Sequence, residues 1–166
     1  MASIFLRFDA EGASRKCQSS VYSDSKEQAR LTAEAKIASY KFFVEKTKDS
    51  GVKEFLLSDN SSSEEMEATL LALRGFYKDK EFALFKGQSL RSGFGDKNKH
   101  NRLTISSLCW QKRDLLFVRL RKTASDGATA GYELQLRLVD KEWQIETEKM
   151  EFITRVGNRP LTVVGL

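Results

Sequence analysis

The stretch Tyr132–Thr147 constrains the fold of this chain more than any other part of the sequence. Apolar and polar residues alternate through its first half, with Tyr132, Leu134, Leu136 and Leu138 set against Glu133, Gln135 and Arg137. After a short connection, Val139–Lys141, the alternation resumes, with Trp143, Ile145 and Thr147 set against Glu142, Gln144 and Glu146. A period of two with one apolar side is the pattern of a strand with one buried and one solvated face. The stretch therefore predicts a β-hairpin in an antiparallel sheet.

A second hairpin is predicted directly before the first. Its strands are Arg102–Trp110 and Leu115–Lys122, joined by Gln111–Asp114. The polar segment Ser92–Asn101 and the small residues of Thr123–Gly131 predict two loops beside it. Further strands are predicted at Ser3–Phe8, Gln18–Tyr22, Val52–Ser58 and Glu81–Leu90, and Met150–Ile153 extends the last strand. The C-terminal half is thus predicted to be a run of antiparallel strands.

Two helices are predicted before this run. Ser23–Lys48 carries two roughly opposed apolar stripes, one of Ala29, Ala33, Ile37, Tyr40 and Val44 and the other of Leu31, Ala35, Ala38 and Phe42. A helix that is apolar on two sides is usually enclosed by the rest of the fold. Asp24 and Glu27 have the spacing of a capping box at its start. Ser63–Tyr77 is the second helix, with acidic residues in its first turn, where the helix dipole favours them.

The order of these elements predicts an α+β fold, with the long N-terminal helix and the second helix packed on a curved, mainly antiparallel sheet. The chain has 166 residues, 40% of them apolar and 31% charged, which suits one globular domain. We predict this domain over residues 1–153 and a C-terminal tail over residues 154–166. The end of the tail is apolar. Three alternatives are open for this segment: it adds an edge strand to the sheet, it docks on a partner, or it frays.

The sequence also bears on the compartment. The chain opens without a basic region followed by an apolar run, and no apolar stretch reaches the roughly 18 residues of a membrane span. We therefore expect neither a signal peptide nor a membrane-spanning helix. Cys17 and Cys109 are isolated and far apart, which favours two reduced thiols in a cytoplasmic protein over a disulfide or a metal site.

The closing hairpin, LRLVDKEWQIETEKM, is an aliphatic strand, a turn and a strand that begins with a Trp. Together with the order of helices and strands over about Ser23–Ile153, it resembles the nuclear-transport-factor-2-like superfamily. There a curved sheet wraps a long N-terminal helix and leaves a pocket between them, and the last turn is commonly Asp-Gly. Lys141 stands here in place of that glycine, and the N-terminal strands and the tail are further departures. Since that superfamily includes enzymes, transport adaptors and secretion-system scaffolds, the resemblance implies a fold and leaves the function open.

Positive charge is concentrated in one part of the sequence. The net charge is +5, yet Lys86–Lys122 holds ten basic residues against two acidic ones. Such asymmetry is typical of a surface for an anionic partner, whether a nucleic acid, an acidic protein or a membrane surface. Trp110, beside a predicted hairpin turn, is the aromatic residue that we expect to be exposed within this surface. The predicted partner-binding residues are Lys97, Lys99, Arg102, Trp110, Lys112, Arg113, Arg119 and Arg121.

Patterns for catalysis or cofactor binding are missing from the sequence. It has no glycine-rich phosphate loop and no nucleophile elbow. A general-base histidine needs an orienting partner and a shielded site, so His100, in a polar segment, is expected to be a solvated loop residue. In a cone-shaped fold Asp59, Asp114 or Tyr40 would face a pocket, although capping and solvated roles are commoner for such residues. We predict no catalytic residue, no metal site and no cofactor.

Three functions remain open. The first is a non-catalytic protein-binding or scaffold domain that uses the basic sheet face or the apolar tail, with a homodimer through the open face as a further expectation. The second is a small-molecule enzyme or ligand carrier with a pocket beside the long helix. The third is a nucleic-acid binder, in which exposed aromatic and basic side chains stack bases and contact phosphates.

Overall fold

A computed structural model describes residues 15–85 and 100–154 of the chain. The helices are α1 (Ser25–Lys46) and α2 (Ser63–Phe76), and a 3₁₀ turn, Lys48–Ser50, follows α1. The strands are β1 (Glu54–Ser58), β2 (Glu81–Leu84), β3 (His100–Lys112), β4 (Leu115–Ala124), β5 (Thr129–Val139) and β6 (Glu142–Thr154). The predicted strand Ser3–Phe8, most of the predicted loop Ser92–Asn101 and the tail after Thr154 lie outside the described residues.

The six strands form one sheet in the order β2-β1-β3-β4-β5-β6. β1 runs parallel to both β2 and β3, and all neighbours from β3 to β6 are antiparallel. Parallel neighbours need a long crossover, which α2 supplies between β1 and β2, whereas antiparallel neighbours need only short turns. The predicted α+β fold, with two helices on a mainly antiparallel sheet, is confirmed. In the described part of the chain, neither helix is long and apolar enough to cross a membrane.

Helix α1 packs on one face of the sheet and also contacts α2. Its buried residues are Leu31, Ala35, Ser39, Tyr40, Phe43 and Val44. The rings of Phe43 and Tyr132 lie 4.8 Å apart, and Trp143 Nε1 on β6 donates a 2.9 Å hydrogen bond to the Leu31 carbonyl oxygen. Both predicted stripes contribute to the core, but Ala29 and Ala33 are exposed. The buried residues of α1 therefore form one continuous face. The prediction that the helix is enclosed on two sides was wrong.

β-Bulges interrupt the alternation of side chains along the long strands. The β3–β4 register shifts between Ile105 and Ser107, and the β5–β6 register also shifts at two places. A bulge adds one residue to one strand, so the residues beyond it point to the opposite face from the one that strict alternation predicts. In β3, Leu103 and Ile105 face the core before the bulge, and Leu108 and Trp110 face it afterwards.

Two predicted loops are partly strands. At the end of the predicted loop Ser92–Asn101, β3 already begins at His100. Within the predicted loop Thr123–Gly131, β4 continues to Ala124 and β5 begins at Thr129, with a short turn between them. Thr123 pairs with Thr129 across this hairpin, and their hydroxyl oxygens lie 3.0 Å apart. Pairing with a neighbouring strand outweighs the weak local preference of such small residues, because strand propensity depends on context. Conversely, the predicted strand Gln18–Tyr22 contributes only one isolated bridge, to β3.

Ser62 caps helix α2, and we expect its loss to be measurable. Its hydroxyl accepts a 3.2 Å hydrogen bond from Glu65 N, and the Glu65 carboxylate accepts a 3.0 Å bond from Ser62 N, which together form a capping box. Ser62→Ala should lower the free energy of unfolding by about 1 kcal/mol, measured by urea denaturation. Ser63→Ala, one residue further into the helix, is the control and should change it by less than about 0.5 kcal/mol. Equal losses in both variants would show that the loss does not come from the capping box.

Candidate binding face on the outer side of the sheet

The sheet has an outer face, opposite the helices. Its residues on the central strands are Arg102, Thr104, Ser107 and Cys109 of β3, Phe117, Arg119, Arg121 and Thr123 of β4, and Gly131, Glu133, Gln135 and Arg137 of β5. They alternate with Leu116, Val118 and Leu120, which are buried on the helix side. Three of the predicted partner-binding residues, Arg102, Arg119 and Arg121, therefore lie on one face.

Arg119 stands at the centre of a charged network on this face. Its Nε lies 3.3 Å from Glu133 Oε2 and 3.3 Å from Glu151 Oε1, so one guanidinium joins β4, β5 and β6. The Glu133 side chain is only 9% exposed, and Arg15 from the N-terminal segment also forms an ion pair with it. A buried carboxylate needs such partners, since an unpaired buried charge costs several kcal/mol. Arg119 is thus a structural residue as well as a candidate contact.

Arg137 forms a second network nearer the hairpin turns. Its Nη1 lies 2.9 Å from Asp114 Oδ2, and its Nε lies 2.5 Å from Glu146 Oε1. Hydrogen bonding from Arg137 lowers the pKa of Glu146 below its ordinary value. Arginines and carboxylates are therefore interleaved across the outer face, which is less uniformly basic than the sequence suggested.

The remaining arginines of this face lie against aromatic rings. The guanidinium carbon of Arg102 is 4.3 Å from the Phe85 ring centroid, and that of Arg121 is 5.8 Å from the Phe152 centroid. In the described part of the chain, neither arginine forms an ion pair with a carboxylate. The guanidinium of Arg15 lies 3.7 Å above the Phe117 ring in the same manner. A ring beneath a guanidinium holds it by a cation–π contact and leaves its N–H groups available to bind an anion.

The predicted exposed aromatic, Trp110, was placed wrongly. Trp110 is only 5% exposed and packs on the helix side, with ring centroids 5.5 Å from Trp143 and 5.8 Å from Tyr22. The reason is the bulge after Ile105, which turns Trp110 inward and its neighbour Cys109 outward. The residue pattern of β3 does not predict this bulge. Among the described residues, the aromatic rings that lie beneath guanidinium groups on the outer face are those of Phe85, Phe117 and Phe152, and none of them was predicted to belong to it.

Residues 15–22 form an N-terminal strap along the end of the β3–β4 hairpin. Arg113 Nε donates a 3.0 Å hydrogen bond to the Val21 carbonyl oxygen, and the Tyr22 hydroxyl donates one to the Arg113 carbonyl oxygen. Gln18 N donates a 2.9 Å bond to the Trp110 carbonyl oxygen. The predicted residues Lys112 and Arg113 therefore lie at this turn, and Arg113 holds the strap. Lys97 and Lys99 lie outside the described residues.

A disulfide joins the strap to the sheet. The Sγ atoms of Cys17 and Cys109 are bonded, across 92 positions of sequence. The prediction of two reduced thiols was wrong, because their separation in sequence concealed that the strap returns to β3. The expectation of a cytoplasmic protein rested partly on those thiols and loses that support.

The other candidate residues have structural roles. The Tyr40 hydroxyl donates a 3.0 Å hydrogen bond to the Ser58 carbonyl oxygen. The pKa of Tyr40 is raised far above its ordinary value, mainly by burial and also by the nearby Asp59 carboxylate. The Asp59 side chain is 1% exposed and accepts a 2.6 Å bond from Ser61 N. Asp114 pairs with Arg137, as above. His100 opens β3 and is half-buried, so the solvated loop histidine that we predicted is a strand residue.

No site for a metal emerges from the described residues, in which no three His, Cys, Asp or Glu side chains are grouped to hold an ion. No protein-family model, curated protein or solved structure matches this chain. Its function must therefore be inferred from the geometry of its own surfaces.

Gly131 leaves room for the Phe152 ring on the outer face, next to Arg121. A Cβ atom on Gly131 would come within 2.2 Å of the Phe152 ring. Gly131→Ala should therefore displace the ring and lower the free energy of unfolding by about 1–3 kcal/mol, measured by urea denaturation. Gly75→Ala is the matched control, because its Cβ would meet nothing within 4 Å in helix α2, and it should raise the stability by up to about 1 kcal/mol. Changes of the same sign in both variants would contradict this packing.

The disulfide should stabilise the fold by closing a long loop in the unfolded chain. We expect the Cys17→Ser/Cys109→Ser variant to lose about 2–4 kcal/mol of unfolding free energy. Denaturation of the native protein with reductant should give the same loss, and reductant should not change the variant. Unchanged stability of the reduced native protein would show that the strap is held by its other contacts alone.

Proposed function

We propose that this protein is a non-catalytic binding or scaffold domain that engages an acidic segment of another protein through the outer face. The observation that carries the proposal is the placement of Arg102 and Arg121. They are diagonal neighbours on β3 and β4, since Arg102 pairs with Thr123 and Arg121 with Thr104. Diagonal neighbours in a sheet lie within about 8 Å of each other. Two guanidinium groups with two threonine hydroxyls between them form a surface that suits a carboxylate-bearing segment.

The electrostatics of this face favour an acidic peptide over a nucleic acid. A nucleic-acid backbone needs a continuous basic track, whereas Glu133, Glu151, Glu146 and Asp114 interrupt the arginines here. Bases also need free aromatic faces for stacking, and guanidinium groups lie over Phe117 and Phe152. Nucleic-acid binding therefore ranks below protein binding.

A pocket enzyme or ligand carrier of the cone-shaped fold is the second candidate. The element order, a long helix, then β1-α2-β2, then four long antiparallel strands, supports the resemblance to the nuclear-transport-factor-2-like superfamily. However, the middle of the helix–sheet interface is occupied by Tyr40, Phe43, Leu116, Leu134 and Leu136, each at most 1% exposed. The packed middle of this interface favours a role in binding over catalysis, although a cleft of about 550 Å³ lies at its edge, between α1 and the start of β6.

The disulfide bears on the compartment in which this binding takes place. Stable disulfides persist mainly in oxidising surroundings and are rare in the cytosol. We therefore favour an oxidising compartment over the cytoplasm that the sequence analysis predicted. A homodimer through the outer face remains a further proposal, and sedimentation velocity over a range of concentrations tests it.

A peptide titration separates these proposals. A fluorescent oligoglutamate peptide should bind the native protein, and the Arg102→Gln/Arg121→Gln variant should bind it at least about tenfold more weakly, because two charge-assisted hydrogen-bonding groups are lost. Lys26→Gln/Lys48→Gln is the matched control, since both lysines are exposed, lie elsewhere, and remove the same net charge.

Two results would contradict the proposal. Equal weakening in the control variant would show attraction to net charge alone, without a defined face. Binding to single-stranded DNA or RNA but not to the acidic peptide, with an affinity that falls steeply with salt, would favour the nucleic-acid alternative.

A further inference from the structure

We infer a second binding site, for a small neutral polyhydroxylated molecule such as a monosaccharide or a cyclitol, in a cleft between α1 and α2. This helix cleft has a volume of about 420 Å³. Its lining is rich in hydroxyl groups, from Ser20 and Ser25 near the start of α1, Thr32 on α1, and Ser61 and Thr69 at α2. It lies on the helix side of the sheet, so it is independent of the outer face.

Small side chains on α1 keep the cleft open. Ala29 and Ala33 form part of its wall, at positions where a larger residue would fill the space towards α2. Both are exposed in spite of being apolar. The first half of α1 therefore presents a surface of hydroxyl and methyl groups to the cleft, whereas Leu31 and Ala35 on its other side are buried in the core.

Three hydroxyl groups of the cleft already donate their protons to backbone carbonyl oxygens, so they can act towards a ligand as hydrogen-bond acceptors. Thr32 Oγ1 donates to the Gln28 carbonyl oxygen at 2.7 Å, and Thr69 Oγ1 donates to the Glu65 carbonyl oxygen at 3.1 Å. Ser20 Oγ likewise donates to the Tyr22 carbonyl oxygen at 2.9 Å. A hydroxyl has one proton and two lone pairs, so each of these groups retains acceptor capacity for a ligand.

Lys36 supplies the complementary donors without adding a net charge. Its Nζ lies 2.5 Å from Ser61 Oγ and 3.6 Å from Asp59 Oδ2. The Asp59 side chain is 1% exposed and that of Lys36 is 13% exposed, so the two charges offset each other at the edge of the cleft. An ammonium group has three protons, and Ser61 retains its own proton when it accepts from Lys36.

This balance of donors and acceptors selects the class of ligand. An anion would meet hydroxyl lone pairs and the Glu65 carboxylate, and the Lys36 ammonium is already paired with Asp59 and Ser61. A ligand whose hydroxyl groups both donate and accept can satisfy all of these groups at once. The volume is within the range of about 300–1,000 Å³ that is usual for small-molecule sites. Among the described residues that line the cleft, none is aromatic and able to stack on a sugar, so the affinity should be modest.

Amide-detected NMR titration of the intact protein tests this inference. The probes are D-glucose, D-ribose and myo-inositol, each raised to tens of millimolar, with inorganic phosphate as the anionic comparison and glycine as the zwitterionic one. At least one polyol should shift the amide signals around Thr32, Ser61 and Thr69 in a saturable way, while phosphate and glycine should not. Signals of the outer face, such as that of Arg121, should stay unchanged.

Threonine-to-valine variants make the test specific. Thr32→Val and Thr69→Val keep the side-chain shape but remove the lone pairs, so together they should weaken polyol binding at least about tenfold. Thr147→Val, at an exposed site on β6, is the matched control and should bind as the native protein does. Absence of saturable shifts with every polyol, stronger binding of phosphate than of any polyol, or unaltered binding by the double variant would each overturn the inference.

Discussion

The structure depends on the burial of one side of α1 against the inward-facing side chains of the sheet. Tyr40 and Phe43 on the helix, and Leu116, Leu134 and Leu136 on the strands, are each at most 1% exposed. Burial of such a side chain contributes about 1.5–3 kcal/mol, whereas an exposed ion pair contributes at most about 1 kcal/mol. The apolar contacts therefore decide the register of each strand, and this register decides on which side of the sheet the polar residues lie. Arg119 and Arg121 face outward because Val118 and Leu120 face inward.

The sequence could predict features that depend on local periodicity. Alternation in Tyr132–Thr147 led to the β5–β6 hairpin, and apolar spacing led to both helices. It could not predict a bulge, since one extra residue at Ile105–Ser107 is decided by packing with β4 and by the core. That single shift buried Trp110 and carried Cys109 to the outer face. The disulfide was missed for a related reason, because a contact across 92 positions leaves no local pattern.

The same limits apply to the candidate binding face. Arg119 and Arg121 alternate with apolar residues, so their common side was visible in the sequence. Their partners were not, because the strand register decides that Arg119 meets Glu133 and that Phe152 covers Gly131. An excess of basic residues in the sequence thus became a surface in which most arginines already have a carboxylate or an aromatic ring. Such a surface costs little entropy to order on binding, because its long side chains are already held.

The disulfide also determines how the molecule would respond to mechanical tension. α1, β1, α2 and β2 all lie between Cys17 and Cys109, inside one covalent ring. A force that pulls on the two chain ends would pass through the sulfur–sulfur bond and bypass everything in that ring. Only the chain before Cys17 and the chain after Cys109 would be stretched, at roughly 3.3–3.6 Å per residue. The helices would then remain coiled while the antiparallel strands were peeled away one after another.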